Sequence, residues 1–299
     1  MESIFKGSGV ALVTPFTKDG EVDYKRLKEL IDFQIENKTD AIIICGTTGE
    51  SATLSEKEHG NVIKECIKQV NKRIPVIAGT GSNSTRTAIS LSKEAEDMNA
   101  DGLLIVTPYY NKPNQQGLFE HYTAIAKETK IPIILYNVPG RTKVNLEPKT
   151  VKRIIEENPN IIAIKEASGN LEQIEALKKI KETINQRLDI YSGNDDQTYD
   201  ILELGGIGVI SVLANILPEE THNMVMNYLN GNKEQSLEQQ IKLLELIKQL
   251  FITTNPIPVK KALELMGKID GTLRLPLTEL PEEQTKQLIK EMKNNGIVI

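Results

Sequence analysis

Residues 161–192 read IIAIKEASGNLEQIEALKKIKETINQRLDIYS. An apolar, β-branched run ends at Lys165, and a second short strand candidate occupies 188–192. Between them Leu171, Ile174, Leu177 and Ile184 fall on one face of a helix. The stretch is therefore one strand–helix–strand unit, and the same alternation extends in both directions. Further strand candidates lie at 10–14, 41–45, 75–78, 102–107, 133–136 and 208–212. Most are apolar without clean alternation, as parallel strands covered on both faces must be. Ala88, Leu91, Ala95 and Met98 mark another amphipathic helix, and Ser55 with Glu58 forms a capping box at the start of a third. With a helix beginning near Pro218 the units number eight, which is the number that closes a (β/α)8 TIM barrel. An open doubly wound sheet also alternates in this way, but more often starts with a glycine-rich dinucleotide loop. No GxGxxG occurs in the chain.

After Asn230 the alternation stops. Leu237, Ile241, Leu244 and Phe251 predict a long helix, Pro256 and Pro258 break it, and two shorter helical stretches follow. The expected organisation is a barrel over residues 1–230 with a C-terminal helical extension, 231–299, packed on it. Composition narrows the function. A chain of 299 residues with 39% hydrophobic and 26% charged content is an ordinary globular sequence, neither fibrous nor disordered. A net charge of −5 disfavours nucleic acid as a partner. No apolar run approaches the roughly 20 residues that cross a bilayer, so no membrane partner is expected. The opening MESIFKGSGVALVTPF lacks the pattern of a signal peptide. Cys45 and Cys66 read as buried thiols, not a disulfide. Together these features predict a cytoplasmic protein.

In a barrel of this kind the chemistry belongs at the C-terminal ends of the strands. Lys165 sits at such an end. Desolvation there disfavours the ammonium and frees an amine that can form a Schiff base with a ketone. The alternative is a lysine that reaches solvent or pairs with Glu166. Tyr136 ends the run at 133–136, where a phenol can shuttle protons or simply pack. Arg141 follows in the next loop and can grip a carboxylate in two parallel hydrogen bonds, or form a surface ion pair. Gly46-Thr47-Thr48-Gly49-Glu50 follows strand two; its hydroxyls and backbone N–H groups suit an anion, or make a tight turn. Thr107-Pro-Tyr-Tyr-Asn-Lys-Pro113 carries two adjacent tyrosines in a chain only 4% aromatic. Glu50, Glu166, Asp195 and Asp196 could serve a glycosidase, but the absence of tryptophan weakens a sugar platform. His59, His121 and His222 form neither HExxH nor a Cys/His cluster, so no metal site is expected.

Six motifs stand in order at successive strand ends: GTTGE, TPYYNKP, YNVPGRT, IKEASG, SGNDD and GVIS. In them, and over essentially its whole length, the chain resembles the dihydrodipicolinate synthase family. These are pyruvate-dependent class I aldolases related to N-acetylneuraminate lyase. The resemblance implies a barrel, usually in a homotetramer built as a dimer of dimers. It implies that Lys165 forms an imine with pyruvate and that Tyr136 is the neighbouring acid–base residue. Thr47 and Tyr110 match the rest of a proton relay, Tyr110 coming from the neighbouring subunit. Thr48 matches a contact to the pyruvate carboxylate, Ile210 and Gly193 line the same pocket, and Arg141 binds the carboxylate of the second substrate, L-aspartate 4-semialdehyde. The implied reaction gives 4-hydroxy-tetrahydrodipicolinate, the entry to diaminopimelate and lysine biosynthesis, and needs no cofactor because the lysine is itself the electron sink.

Two departures accompany the resemblance. Leu213 stands where many relatives have threonine. In relatives inhibited by lysine, the regulatory pocket matches Ser51, Glu56, His59, Asn83, Thr87 and Tyr109 here. Glu56 replaces a histidine and Thr87 a glutamate, so weak or absent feedback is expected. Alternatives remain at this point: a sister aldolase acting on a sugar or sugar-acid aldehyde, a catalytically silent binding protein on the same barrel, and a lysine-dependent pyridoxal phosphate enzyme, whose phosphate signal is poor. Arg141 argues against the sugar aldolases, which need no such carboxylate clamp.

Overall fold

The strand candidates pair in sequence order into one closed parallel barrel. The structure is a computed structural model and describes residues 2–299. The strands are β1 Gly7–Ala11, β2 Ala41–Ile44, β3 Val76–Gly79, β4 Gly102–Val106, β5 Ile133–Asn137, β6 Ile161–Glu166, β7 Asp189–Ser192 and β8 Gly208–Ser211. The barrel closes where β1 meets β8, with Gly9 opposite Ile210. Helices follow the strands and cover them. Among the described residues these include the capping-box helix Glu56–Val70, whose Ser55 side chain accepts from the Glu58 N–H while Glu58 reaches back to the Ser55 N–H.

Alternation along the strands separates two apolar regions. Ile43, Ile77, Leu104, Ile134, Tyr191 and Ile210 fill the barrel interior. Val10, Ile42, Ile44, Leu103, Leu135 and Ile164 point outward into the helical layer. Each such side chain, once fully buried, contributes roughly 1.5–3 kcal/mol. The interior is thus solid, and a ligand can enter only at the strand ends.

β1 lies earlier in the chain than the expected 10–14. The sequence signal misplaces it because β1 begins with small residues of low β-propensity, which the seam needs. A Cβ on Gly208 would come within 2.3 Å of the Gly7 carbonyl oxygen. Beyond Leu12 the backbone leaves the ladder for side-chain partners: the Val13 N–H donates to Asn215 Oδ1 at 3.1 Å.

The long helix beyond the barrel spans Lys233–Leu250, followed by Ile257–Leu265 and Glu282–Asn294. Its buried face is not the expected one. Ser236, Gln240, Leu243, Leu246, Ile247 and Leu250 point inward, whereas Leu237 (38% exposed) and Ile241 (58%) face out. Apolar periodicity located the helix, but two apolar stripes run along it, and only packing decides which is covered. A buried ion pair ties this region to the barrel. Lys260 is fully buried, and its Nζ lies 2.6 Å from Glu50 Oε1 and 3.0 Å from the Thr14 carbonyl. Arg274 adds a second tie through its side-chain pair with Glu58.

Candidate active site

Tyr136 and Lys165 are register partners on β5 and β6. Both side chains enter the C-terminal mouth of the barrel, 7% and 6% exposed. Burial pulls the Lys165 ammonium down to about 7; Asp195 opposes the shift and Arg141 adds to it. An amine in this state is substantially neutral near neutral pH, as a nucleophile must be. Burial pushes the Tyr136 phenol up, against Arg141 and a side-chain hydrogen bond with Thr47.

Glu166 does not pair with Lys165. Consecutive strand residues point to opposite faces, so Glu166 enters the helical layer. There Asn137 Nδ2, Gln173 Nε2 and the Ser168 N–H donate to its carboxylate. Opposite Lys165, Gly193 leaves the room that the lysine needs. A Cβ at Gly193 would sit 3.0 Å from Lys165 Cε and 2.7 Å from the Ala167 methyl.

The GTTGE loop is held in an unfavourable backbone conformation. Cys45 (φ 55°) and Glu50 (φ 51°) both occupy the left-handed region, at a cost of order 1–3 kcal/mol each. The Lys260–Glu50 pair and the Thr14 hydroxyl, which donates to the Gly49 carbonyl at 2.7 Å, fix the loop from below. Thr47 and Thr48 are thereby presented to the strand ends.

Two adjoining cavities share Thr47, Val138 and Arg141. The inner one, about 60 Å³, is also lined by Thr48, Tyr136, Lys165, Gly193 and Asn255. The outer one, about 480 Å³, is bounded by Ser51, His59, Thr87 and Tyr109. Arg141 is exposed, and its guanidinium donates to the Asn255 carbonyl at 2.9 Å. Among the described residues it makes no ion pair, so its remaining N–H groups are available to an anion.

Not every candidate joins this group. Ile210 is buried in the barrel interior, and from the segment after β8 it is Val212 that lines the inner cavity. Tyr110 is 90% exposed, with φ 72°, and lines neither cavity. Glu56 and Asn83 do not line the outer cavity, and Glu56 is exposed. Leu213 is fully buried in the apolar layer. Sequence reasoning missed Asn255 and Phe251, which reach the inner cavity from beyond the barrel. It also missed the Lys260–Glu50 pair. No residue-type pattern marks these positions, because their roles arise only from how the C-terminal helices pack. Cys45 and Cys66 are free and buried. Among the described residues no group of three or more His, Cys, Asp or Glu could hold a metal ion, and no helix is long and apolar enough to cross a membrane.

A profile of the Dihydrodipicolinate synthetase family matches residues 4–295. The chain belongs to this family. It is 55% identical over 296 residues to the 4-hydroxy-tetrahydrodipicolinate synthase of Clostridium tetani, covering 99% of each chain. The dihydrodipicolinate synthase of Thermotoga maritima superposes with a TM-score of 0.96 at 44% identity, covering 99% of this chain and all of that one. The enzyme of Cyanidioschyzon merolae, solved with lysine bound, gives a TM-score of 0.95 at 40% identity, covering 99% and 100%. The family's barrel and its C-terminal helices are thus both present in this chain.

Proposed function

We propose that this protein condenses pyruvate with L-aspartate 4-semialdehyde to 4-hydroxy-tetrahydrodipicolinate, at the entry to diaminopimelate and lysine biosynthesis. The observation that carries the reading is a buried, depressed-pKa lysine beside a tyrosine, with Arg141, which makes no ion pair among the described residues, at the same mouth. The neutral Lys165 amine attacks the pyruvate ketone, and loss of water gives an iminium. The iminium draws electrons from the adjacent methyl group, which loses a proton to become an enamine carbon. That carbon attacks the aldehyde, whose oxygen takes a proton relayed by Tyr136 and Thr47. The substrate amine then attacks the imine carbon, expels Lys165 and closes the ring.

In this account Thr48 contacts the pyruvate carboxylate and Arg141 the carboxylate of the aldehyde. Gly193 leaves space for the iminium, and Ile210 supports the floor beneath it. Tyr110 completes the relay from a neighbouring subunit, which explains a tyrosine held in the open. The exposed Tyr109, Tyr110, Leu237 and Ile241 are apolar or aromatic surface that a homotetramer would cover. The cell compartment is the cytoplasm, in keeping with two free, buried thiols. The outer cavity is a weak lysine site at most: Ser51, His59, Thr87 and Tyr109 bound it, but no carboxylate does.

A coupled assay tests the substrate assignment. Pyruvate with aspartate semialdehyde should turn over, and pyruvate with N-acetylmannosamine should not. Turnover of the sugar pair alone would replace this reading with a sister aldolase.

A further inference from the structure

We propose that Asn255 is a positioning residue that sets the hydrogen-bonding polarity of Thr48, so that the Thr48 hydroxyl donates into the active site. The inference rests on the reading of Thr48 as a contact to the pyruvate carboxylate. Asn255 belongs to no barrel strand; it lies between helices Lys233–Leu250 and Ile257–Leu265. It is 5% exposed and lines the cavity that Lys165 enters. Its Nδ2 donates to Thr48 Oγ1 at 2.9 Å, and its backbone carbonyl accepts from Arg141 Nη2 at 2.9 Å. One residue therefore touches both groups assigned to substrate carboxylates.

The direction of the first bond matters. A hydroxyl has one proton to give and lone pairs that accept, whereas a carboxylate only accepts. The Thr48 hydroxyl can serve a carboxylate only if its single O–H is not spent elsewhere. By donating to Oγ1, Asn255 occupies an acceptor position and leaves the O–H for the ligand. No other hydrogen bond to Thr48 Oγ1 occurs among the described residues. The opposite amide orientation would present Oδ1 to Thr48 and draw the O–H away from the cavity.

A second observation separates this role from packing. Asn255 Oδ1 is buried with no hydrogen-bond partner. An orphaned buried acceptor is unfavourable, and a leucine of similar size would fill the same space without one. The amide is explained by the bond it gives Thr48, not by stability. The backbone contact to Arg141 needs no particular side chain, so replacing the side chain perturbs one substrate contact and spares the other.

The test is a double-mutant cycle on the full chain, read as separate KM values for pyruvate and aspartate semialdehyde and as kcat. Asn255→Ala should raise the pyruvate KM about tenfold, the size of one lost bond supporting a charged ligand. The aldehyde KM and kcat should stay within about threefold of wild type. On a Thr48→Val background, Asn255→Ala should add nothing further to the pyruvate KM. An unchanged pyruvate KM in Asn255→Ala, or an equal rise on both backgrounds, overturns the proposal while leaving the Thr48 reading intact. An unchanged pyruvate KM in Thr48→Val alone overturns both. If Asn255→Ala does not fold, the size-matched Asn255→Leu gives the answer. It fills the same space with neither a donor nor a charge, so the pyruvate KM should again rise about tenfold. A pyruvate KM unchanged from wild type overturns the proposal.

Discussion

Lys165 Nζ lies 4.3 Å from the centroid of the Tyr136 ring, the two residues being partners across β5 and β6. A ring face stabilises a cation, yet burial dominates and the lysine titrates far below its ordinary range. The same pairing that packs the barrel mouth therefore places a readily deprotonated amine and a phenol side by side.

This relationship has a pH signature. Imine formation needs the neutral amine, and Lys165 is pulled down from 10.5 to about 7. The second-order rate of pyruvate capture should rise about tenfold per pH unit below this value and level off above it. Rapid quenching with borohydride at fixed times measures it. A rate still climbing tenfold per unit through pH 9 would mean an ordinary lysine. Stability has the same sign. Between about 7 and 10.5 the folded state binds fewer protons at Lys165 than the unfolded chain, so this residue's contribution becomes more favourable as pH rises through that window.

Arg141 should separate the two substrates. Loss of a charge-assisted carboxylate contact costs roughly 2–5 kcal/mol, so Arg141→Ala should sharply reduce kcat/KM for aspartate semialdehyde. Capture of pyruvate by Lys165 should suffer much less. Steady-state kinetics alongside adduct formation compares them, and equal damage to both would place Arg141 in the pyruvate site or in the structure.

Removing Lys260 leaves the buried Glu50 carboxylate without its ion-pair partner, though the Arg274 N–H still donates to its Oε2 at 3.2 Å. Lys260→Met should destabilise the protein by about 3–5 kcal/mol, and adding Glu50→Gln should recover part of that loss. Urea unfolding measures both variants. A loss below ~1 kcal/mol for the single variant would show that the pair is not what fixes the GTTGE loop.

Feedback by L-lysine should be weak. The outer cavity has Thr87 in its wall, and a threonine cannot replace a carboxylate facing a ligand ammonium. Glu56 is exposed and outside the cavity wall. Activity at subsaturating pyruvate, titrated with lysine, should fall little below millimolar concentrations. Strong submillimolar inhibition would show that another group supplies the missing charge.

Local chemistry was legible where one residue type has few alternatives. The parallel barrel follows from runs such as Ile161–Glu166, and Lys165 declares itself because a charge at the end of an apolar strand demands a reason. Its alternative partner Glu166 is removed only by knowing that β6, after its register shift near Ile162, alternates regularly from Ala163 to Glu166. β1 was misplaced because its glycines and serine answer to the seam, a constraint that arises once β8 is beside it. Ile241 marked a helix but not its buried face, since Leu243 and Ile247 offered a second stripe. Asn255 was invisible for a similar reason. It reaches Thr48 across a separation of 207 residues, through packing that no local pattern encodes.

The central claim is that Lys165 is the nucleophile, and covalent capture tests it most directly. The full-length protein, incubated with pyruvate and reduced with borohydride, is digested and read by mass spectrometry. The account predicts a single stable pyruvate-derived adduct on the peptide containing Lys165, absent from Lys165→Met. An adduct on another lysine, or none at all from active enzyme, would contradict it.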